Sequence, residues 1–151
     1  MGKDKKGLGR WVYSRFRGKG NQHFRCVSAY RPCKNKGPNS TWSQHLTFFR
    51  EQGAANTDPI DNFDNDFCAE IEEWIKLGDE IIIGIDMNED VRTGKLAKRL
   101  KALGLRELIL STHSTASPPA TFIRNTSRIP IEGMWGTEAI EVFREIGRAH
   151  V

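Results

Sequence analysis

Asp86 and Asn88 stand two residues apart at the end of an apolar run, Glu80-Ile-Ile-Ile-Gly-Ile-Asp-Met-Asn-Glu-Asp90. A carboxylate beside a carboxamide can orient a water, contact a metal ion and hydrogen-bond a phosphate oxygen. The plain alternative is an Asx turn that closes a strand. Ile81 to Ile83 and Ile85 are β-branched and nearly continuous, the pattern of a central strand buried on both faces. Side chains two apart in a strand project to the same side, so Asp86 and Asn88 are expected to emerge together at its carboxyl edge. Sheets of mixed α/β domains usually place their ligands at that edge.

Other elements must hold this strand. Trp11–Arg17 and Gln22–Tyr30 flank Gly18-Lys19-Gly20-Asn21 and predict a β-hairpin, with Phe24, Cys26, Ser28 and Tyr30 on one face of the second strand. Arg31–Pro38 reads as a loop. Thr41–Gln52 predicts a helix with Trp42, Leu46 and Phe49 on its stripe and Gly53 past its end. Asp61 to Leu77 predicts a second helix: Phe63, Phe67, Ile71 and Ile75 recur every fourth residue, Trp74 widens the stripe, and Gly78 takes the C′ position. Asp61, Asp64 and Asp66 fall where the helix dipole favours negative charge. Asn62, Asp64, Asp66 and Glu73 have the spacing of calcium ligands, but Phe67 replaces the turn glycine, and helix capping is the better reading. Thr93 is expected to cap a third helix carrying Leu96, Leu100 and Leu103, closed by Gly104. Leu105–Leu110 is short and apolar, and Ser111–Pro119 is a loop. Thr121–Ile123 and Arg128–Trp135 predict the last two strands, the second interrupted by Gly133. Strands, then helices, then strands again predict an α/β (α+β) sandwich of sheets packed against helices.

The net charge of +4 is strongly segregated. Residues 1–36 carry eleven Lys or Arg and one Asp, residues 37–90 two basic and thirteen acidic side chains, and residues 91–151 ten and five. A basic face against an acidic one suits contact with a phosphate backbone, or two faces that neutralise each other. No apolar run exceeds the five residues Ile81–Ile85, so no membrane partner is expected. Met1-Gly-Lys-Asp-Lys-Lys6 resembles neither a secretory signal nor a myristoylation site. Three cysteines without CxxC spacing point to a reducing compartment, nuclear or cytoplasmic. Oligomeric state is not readable.

Four motifs follow one another in a telling order: Ser28-Ala29-Tyr30-Arg31-Pro32, Gly84-Ile85-Asp86-Met87-Asn88, Pro119-Ala120-Thr121-Phe122, and Pro130-Ile131-Glu132-Gly133-Met134-Trp135. From about Gly9 to Thr137 the chain resembles the endonuclease/exonuclease/phosphatase superfamily, which includes abasic-site endonucleases, non-LTR retrotransposon nicking endonucleases and DNase I-like enzymes. The resemblance implies a four-layer αββα sandwich with two mixed β-sheets flanked by helices. It implies hydrolysis of nucleic-acid phosphodiesters, DNA above all, assisted by Mg²⁺ or Mn²⁺ that neutralises charge on the phosphate oxygens. It gives Tyr30 a part in holding the scissile phosphate, Asp86 the positioning or deprotonation of the attacking water, and Asn88 a phosphate contact. Thr121, Asn125 and Arg31 are assigned to the substrate side of the cleft, and Glu132 and Asp86 to the metal. Read one by one, Tyr30 could equally be an edge aromatic and Thr121 an ordinary strand residue.

The chain also departs from the family pattern. Glu132 stands where the family has aspartate, one methylene longer, and sites tolerate little displacement. The family's early-strand metal glutamate and its closing Ser-Asp-His motif have no counterpart; His150 lies in Gly147-Arg-Ala-His-Val151 instead. Residues 1–144 are therefore expected to be a partial domain, short of its first strands and its last. Ile146–Val151 back-translates to ATC-GGA-AGA-GCA-CAC-GTC, the pattern of a sequencing adapter, so residues 145–151 are expected to be a non-native tail. Such a chain would cleave DNA weakly at most. The competing functions are a non-catalytic remnant that binds nucleic acid or protein, and a phosphatase acting on small phosphoesters.

Overall fold

Ile81, Ile83 and Ile85 form the buried spine of the sheet around which the chain folds. A computed structural model describes residues 1–112, 120–124 and 126–140. β1 (Gly2–Lys3) lies on the edge of a hairpin formed by β2 (Trp11–Arg17) and β3 (His23–Tyr30). Gly18 N donates to Gln22 O at 2.8 Å, and Gly20 takes a left-handed φ of 64° that glycine adopts at no steric cost. Helices α1 (Thr41–Glu51) and α2 (Pro59–Lys76) return the chain to β4 (Glu80–Asp86), which runs parallel to β3. Then come α3 (Lys95–Ala102), β5 (Arg106–Glu107), β6 (Phe122–Arg124), β7 (Ser127–Ile129) and β8 (Glu132–Gly136). Six strands form one mixed sheet in the order β1-β2-β3-β4-β8-β5, and β6 and β7 form a separate two-stranded sheet.

Among the described residues, helices cover one face of the large sheet and none covers the other. Trp11, Val27, Ala29, Ile81, Ile83, Ile85 and Trp135 pack with Phe63, Phe67 and Ile71 of α2 and Leu96 and Leu100 of α3 in a single core. Full burial of such side chains contributes about 1.5–3 kcal/mol each. On the opposite face Val12 is 50 % exposed, Phe16 54 % and Met134 43 %. Phe24, Cys26, Ser28 and Tyr30 share that open face, because Arg25, Val27 and Ala29 point to the helices. β4 is thus covered on one side only: Ile81, Ile83 and Ile85 are buried while Gly84 is exposed.

The segregated charges are partners within the molecule. Arg10 is buried and donates to Asp4 at 2.6 and 2.8 Å and to Asp66 at 2.9 Å. Lys5 pairs with Glu70, Lys6 with Asp66, Arg15 and Arg25 with Asp79, and Arg31 with Asp64. Much of the basic N-terminal segment is therefore engaged by the acidic one.

Several boundaries differ from the sequence expectations. α2 starts at Pro59 and is capped by Asp58, whose Oδ1 accepts from Ile60 N and Asp61 N at 2.8 and 3.0 Å. Asp64 and Asp66 lie beyond the first turn and serve as ion-pair acceptors, and a continuous helix through residues 62–73 replaces any calcium loop. α3 is capped by Glu89 rather than Thr93: its carboxylate accepts from Lys95 N, Leu96 N and Ala97 N at 3.1, 2.6 and 3.2 Å. The last strand breaks at Pro130-Ile131, not at Gly133, so β7 pairs with β6 and β8 joins the main sheet. Among the described residues no helix is long and apolar enough to cross a membrane. Asn125, residues 113–119 and residues 141–151, His150 among them, lie outside the described residues.

Candidate functional site

Tyr30, Asp86 and Glu132 stand in one row across three neighbouring strands. Tyr30 is paired with Asp86 in the parallel β3–β4 ladder, and Asp86 with Glu132 in the antiparallel β4–β8 ladder. Directly paired residues project to the same face of a sheet, here the face that no helix of the described residues covers. The row lies at the carboxyl ends of β3 and β4, the edge at which α/β sheets bind ligands.

Met87 N donates to Ile131 O at 2.8 Å, which makes Asp86–Glu132 a non-hydrogen-bonded pair, the kind whose side chains approach most closely. Cβ atoms so opposed lie about 4.5–5.5 Å apart, so the two acidic side chains are direct neighbours. Among the described residues no group of three or more His, Cys, Asp or Glu is arranged to hold a metal ion. Magnesium asks less of the protein: one or two carboxylates suffice, with waters and substrate phosphate completing the shell. Asp86 and Glu132 are two carboxylates on adjacent strands that could serve in this way.

Beyond Asp86 the chain turns sharply. Asp86 Oδ1 accepts from Asn88 N at 3.1 Å, an Asx turn, and Asn88 takes a left-handed φ of 48° that asparagine tolerates better than most residues. The turn and the site therefore coexist. Asn88 leaves the alternation of the strand, so it reaches Tyr30 by turning inward and not by sharing a strand face with Asp86. Its Nδ2 donates to Arg31 O at 2.6 Å, and its side chain and the Cys33 thiol are close enough to the Tyr30 hydroxyl to bear on its titration. Burial raises the Tyr30 pKa above its ordinary 10.0; Cys33 and the charge of Asp86 push the same way, and Asn88 opposes them. The phenol keeps its proton at neutral pH and can donate to an anion.

Two of the expected substrate contacts have other partners here. Thr121 Oγ1 accepts from Ile131 N at 2.9 Å and Glu132 N at 3.2 Å, bracing the start of β8 beneath the Glu132 carboxylate. The Arg31 guanidinium is turned inward, bonded to Asp64, to Met87 O and to Glu89, with the residue only 5 % exposed. Asn125 lies outside the described residues.

Sequence reasoning missed Cys33 and Glu89. No spacing rule marks a thiol three residues after a tyrosine in a proline loop. Glu89 does leave a signal: an acid just before a helix whose cap position, Gly94, has no side chain to offer. A Cβ on Gly94 would lie 2.3 Å from Glu89 Cδ, so the glycine makes room for the capping carboxylate. Comparison with protein-family models and with curated protein sequences returns no match to this chain.

Proposed function

We propose that the chain carries a site for metal-assisted hydrolysis of phosphodiester bonds in nucleic acid, with DNA as substrate, in the manner of the endonuclease/exonuclease/phosphatase superfamily. The single observation that carries this reading is the Tyr30–Asp86–Glu132 row at the carboxyl edge of β3 and β4, with Asn88 folded against it. Asp86 orients the attacking water and takes its proton. The neutral Tyr30 hydroxyl and the Asn88 carboxamide contact phosphate oxygens and stabilise the charge that develops there. Mg²⁺ or Mn²⁺, held by Asp86 and Glu132, would neutralise phosphate charge. A four-layer αββα arrangement, with a second mixed sheet over the open face, would cover the exposed Val12, Phe16 and Met134.

One observation favours a second reading, a non-catalytic module that binds nucleic acid or a protein through the same cleft. Glu132 is a methylene longer than the aspartate of the superfamily, and this displaces its carboxylate.

Single-turnover cleavage of an end-labelled DNA duplex in Mn²⁺, with protein in excess, separates the two. Slow cleavage by the wild-type chain is expected. Asp86→Asn should lower it roughly a hundredfold, the scale of a lost general base. Glu132→Asp should match or exceed wild type. Equal rates for wild type and Asp86→Asn would refute the assignment; duplex binding without cleavage by either would establish the binding module.

A further inference from the structure

Arg31 touches four successive residues of the turn that carries the site. Its N donates to Asp86 O at 2.9 Å, its Nη1 to Met87 O at 3.2 Å, its O accepts from Asn88 Nδ2 at 2.6 Å, and its Nη1 lies 3.3 Å from Glu89 Oε2. The guanidinium is itself anchored from α2, where Nε and Nη2 form a fork on the Asp64 carboxylate at 2.7 and 2.9 Å. Asp64 is fully buried and Arg31 nearly so. A paired fork of this kind fixes both the position and the plane of the guanidinium. The Asn88 backbone it steadies is left-handed, a conformation that persists only where the surroundings hold it.

We propose that the buried Arg31–Asp64 pair is a positioning device: it holds the Asp86–Glu89 turn so that the Asn88 carboxamide stays on Arg31 O, between Tyr30 and Asp86. Arg31 does not contact substrate and acts through Asn88. This rests on the functional reading above only for its catalytic consequence; the geometric consequence stands apart from it. Lysine at position 31 would keep a charge opposite Asp64 but lose the fork, with one nitrogen in place of the three that now engage Asp64, Met87 O and Glu89.

The test uses Arg31→Lys in the full chain, with Asp64→Asn as a second variant should the first fail to fold, and each is checked first for cooperative unfolding. The Asn88 side-chain NH₂ signal is then followed by NMR. The expected result is a shifted signal with exchange about tenfold faster, the loss of one ordinary hydrogen bond, while the amides of Ile83 and Ile85 stay protected. DNA cleavage should fall about tenfold to a hundredfold in kcat, as for a misplacement of about 1 Å, with KM for the duplex unchanged. A purely structural pair would lower the unfolding temperature and leave the Asn88 signal in place; that result in a folded variant overturns the proposal. Absence of cleavage by the wild-type chain would count against the hydrolytic reading alone, and the Asn88 signal would still decide the positioning role.

Discussion

At Gly133 a single hydrogen atom settles how the site is supported from below. Trp135 is fully buried, and its Nε1 donates to Met87 Sδ at 3.3 Å. That indole leans across Gly133, where a Cβ would come within 2.7 Å of Trp135 Nε1 and 3.3 Å of Val91 Cγ1. Neither neighbour can swing into solvent. Gly133→Ala is therefore expected to destabilise the fold by about 1–3 kcal/mol, the cost of overpacking a close-packed core, read as a lower denaturant midpoint at unchanged slope. An unchanged midpoint would show that the indole relaxes freely. Glu132 precedes this glycine and Met87 follows Asp86, so both carboxylates of the row rest on the same contact. The identities of Tyr30, Asp86, Asn88 and Glu132 are visible in the sequence. Their convergence is not, because it depends on two strand registers set by residues far apart in the chain. The inward turn of Arg31 is likewise hidden, since its partner Asp64 is 33 positions away and looks like a helix-dipole acid.

At the scale of elements, periodicity is the reliable signal. The stripe of Phe63, Phe67 and Ile71 identifies α2, and the isoleucine run identifies β4, because both patterns come from burial against one core. The ends of an element are hidden where the deciding group lies outside it. The cap of α3 comes from Glu89 across a loop, and the nearby Thr93, the expected cap, does not supply it. The break between β7 and β8 falls at Pro130, which has no N–H to continue a ladder, while Thr121 takes up the next two donors. Gly133, expected to interrupt the strand, lies within β8 and serves packing. The two-residue strands β1 and β5 left no periodic trace to read.

Across the whole molecule, basic and acidic segments pair with each other, and this makes stability depend on pH. Arg15, then Arg25, hold the Asp79 carboxyl below its ordinary 3.8. Burial works against Asp4, but its bonds with Arg10 and Lys6 still leave it depressed. Burial and the charge of Arg10 hold His45 below its ordinary 6.5, against a bond with the Leu8 backbone and the charge of Asp4. A depressed histidine is neutral when folded, so stability falls as the pH drops below 6.5 and the unfolded chain takes up the proton first; depressed carboxylates lose their contribution only below 3.8. The unfolding temperature should thus decline in two stages on acidification, and His45→Gln should remove the first stage alone. A temperature flat from pH 7.5 to pH 5 in the wild-type chain would contradict this. The same fold brings β3, β4 and β8 together so that Tyr30, Asp86 and Glu132 stand in one row, and titrating Mn²⁺ into ¹⁵N-labelled protein tests most directly the cation site proposed there. Paramagnetic broadening should strike the amides of Tyr30, Asp86, Met87 and Glu132 first and vanish in Asp86→Asn at an unchanged unfolding temperature; broadening that leaves this row untouched, or that survives in Asp86→Asn, would contradict the account.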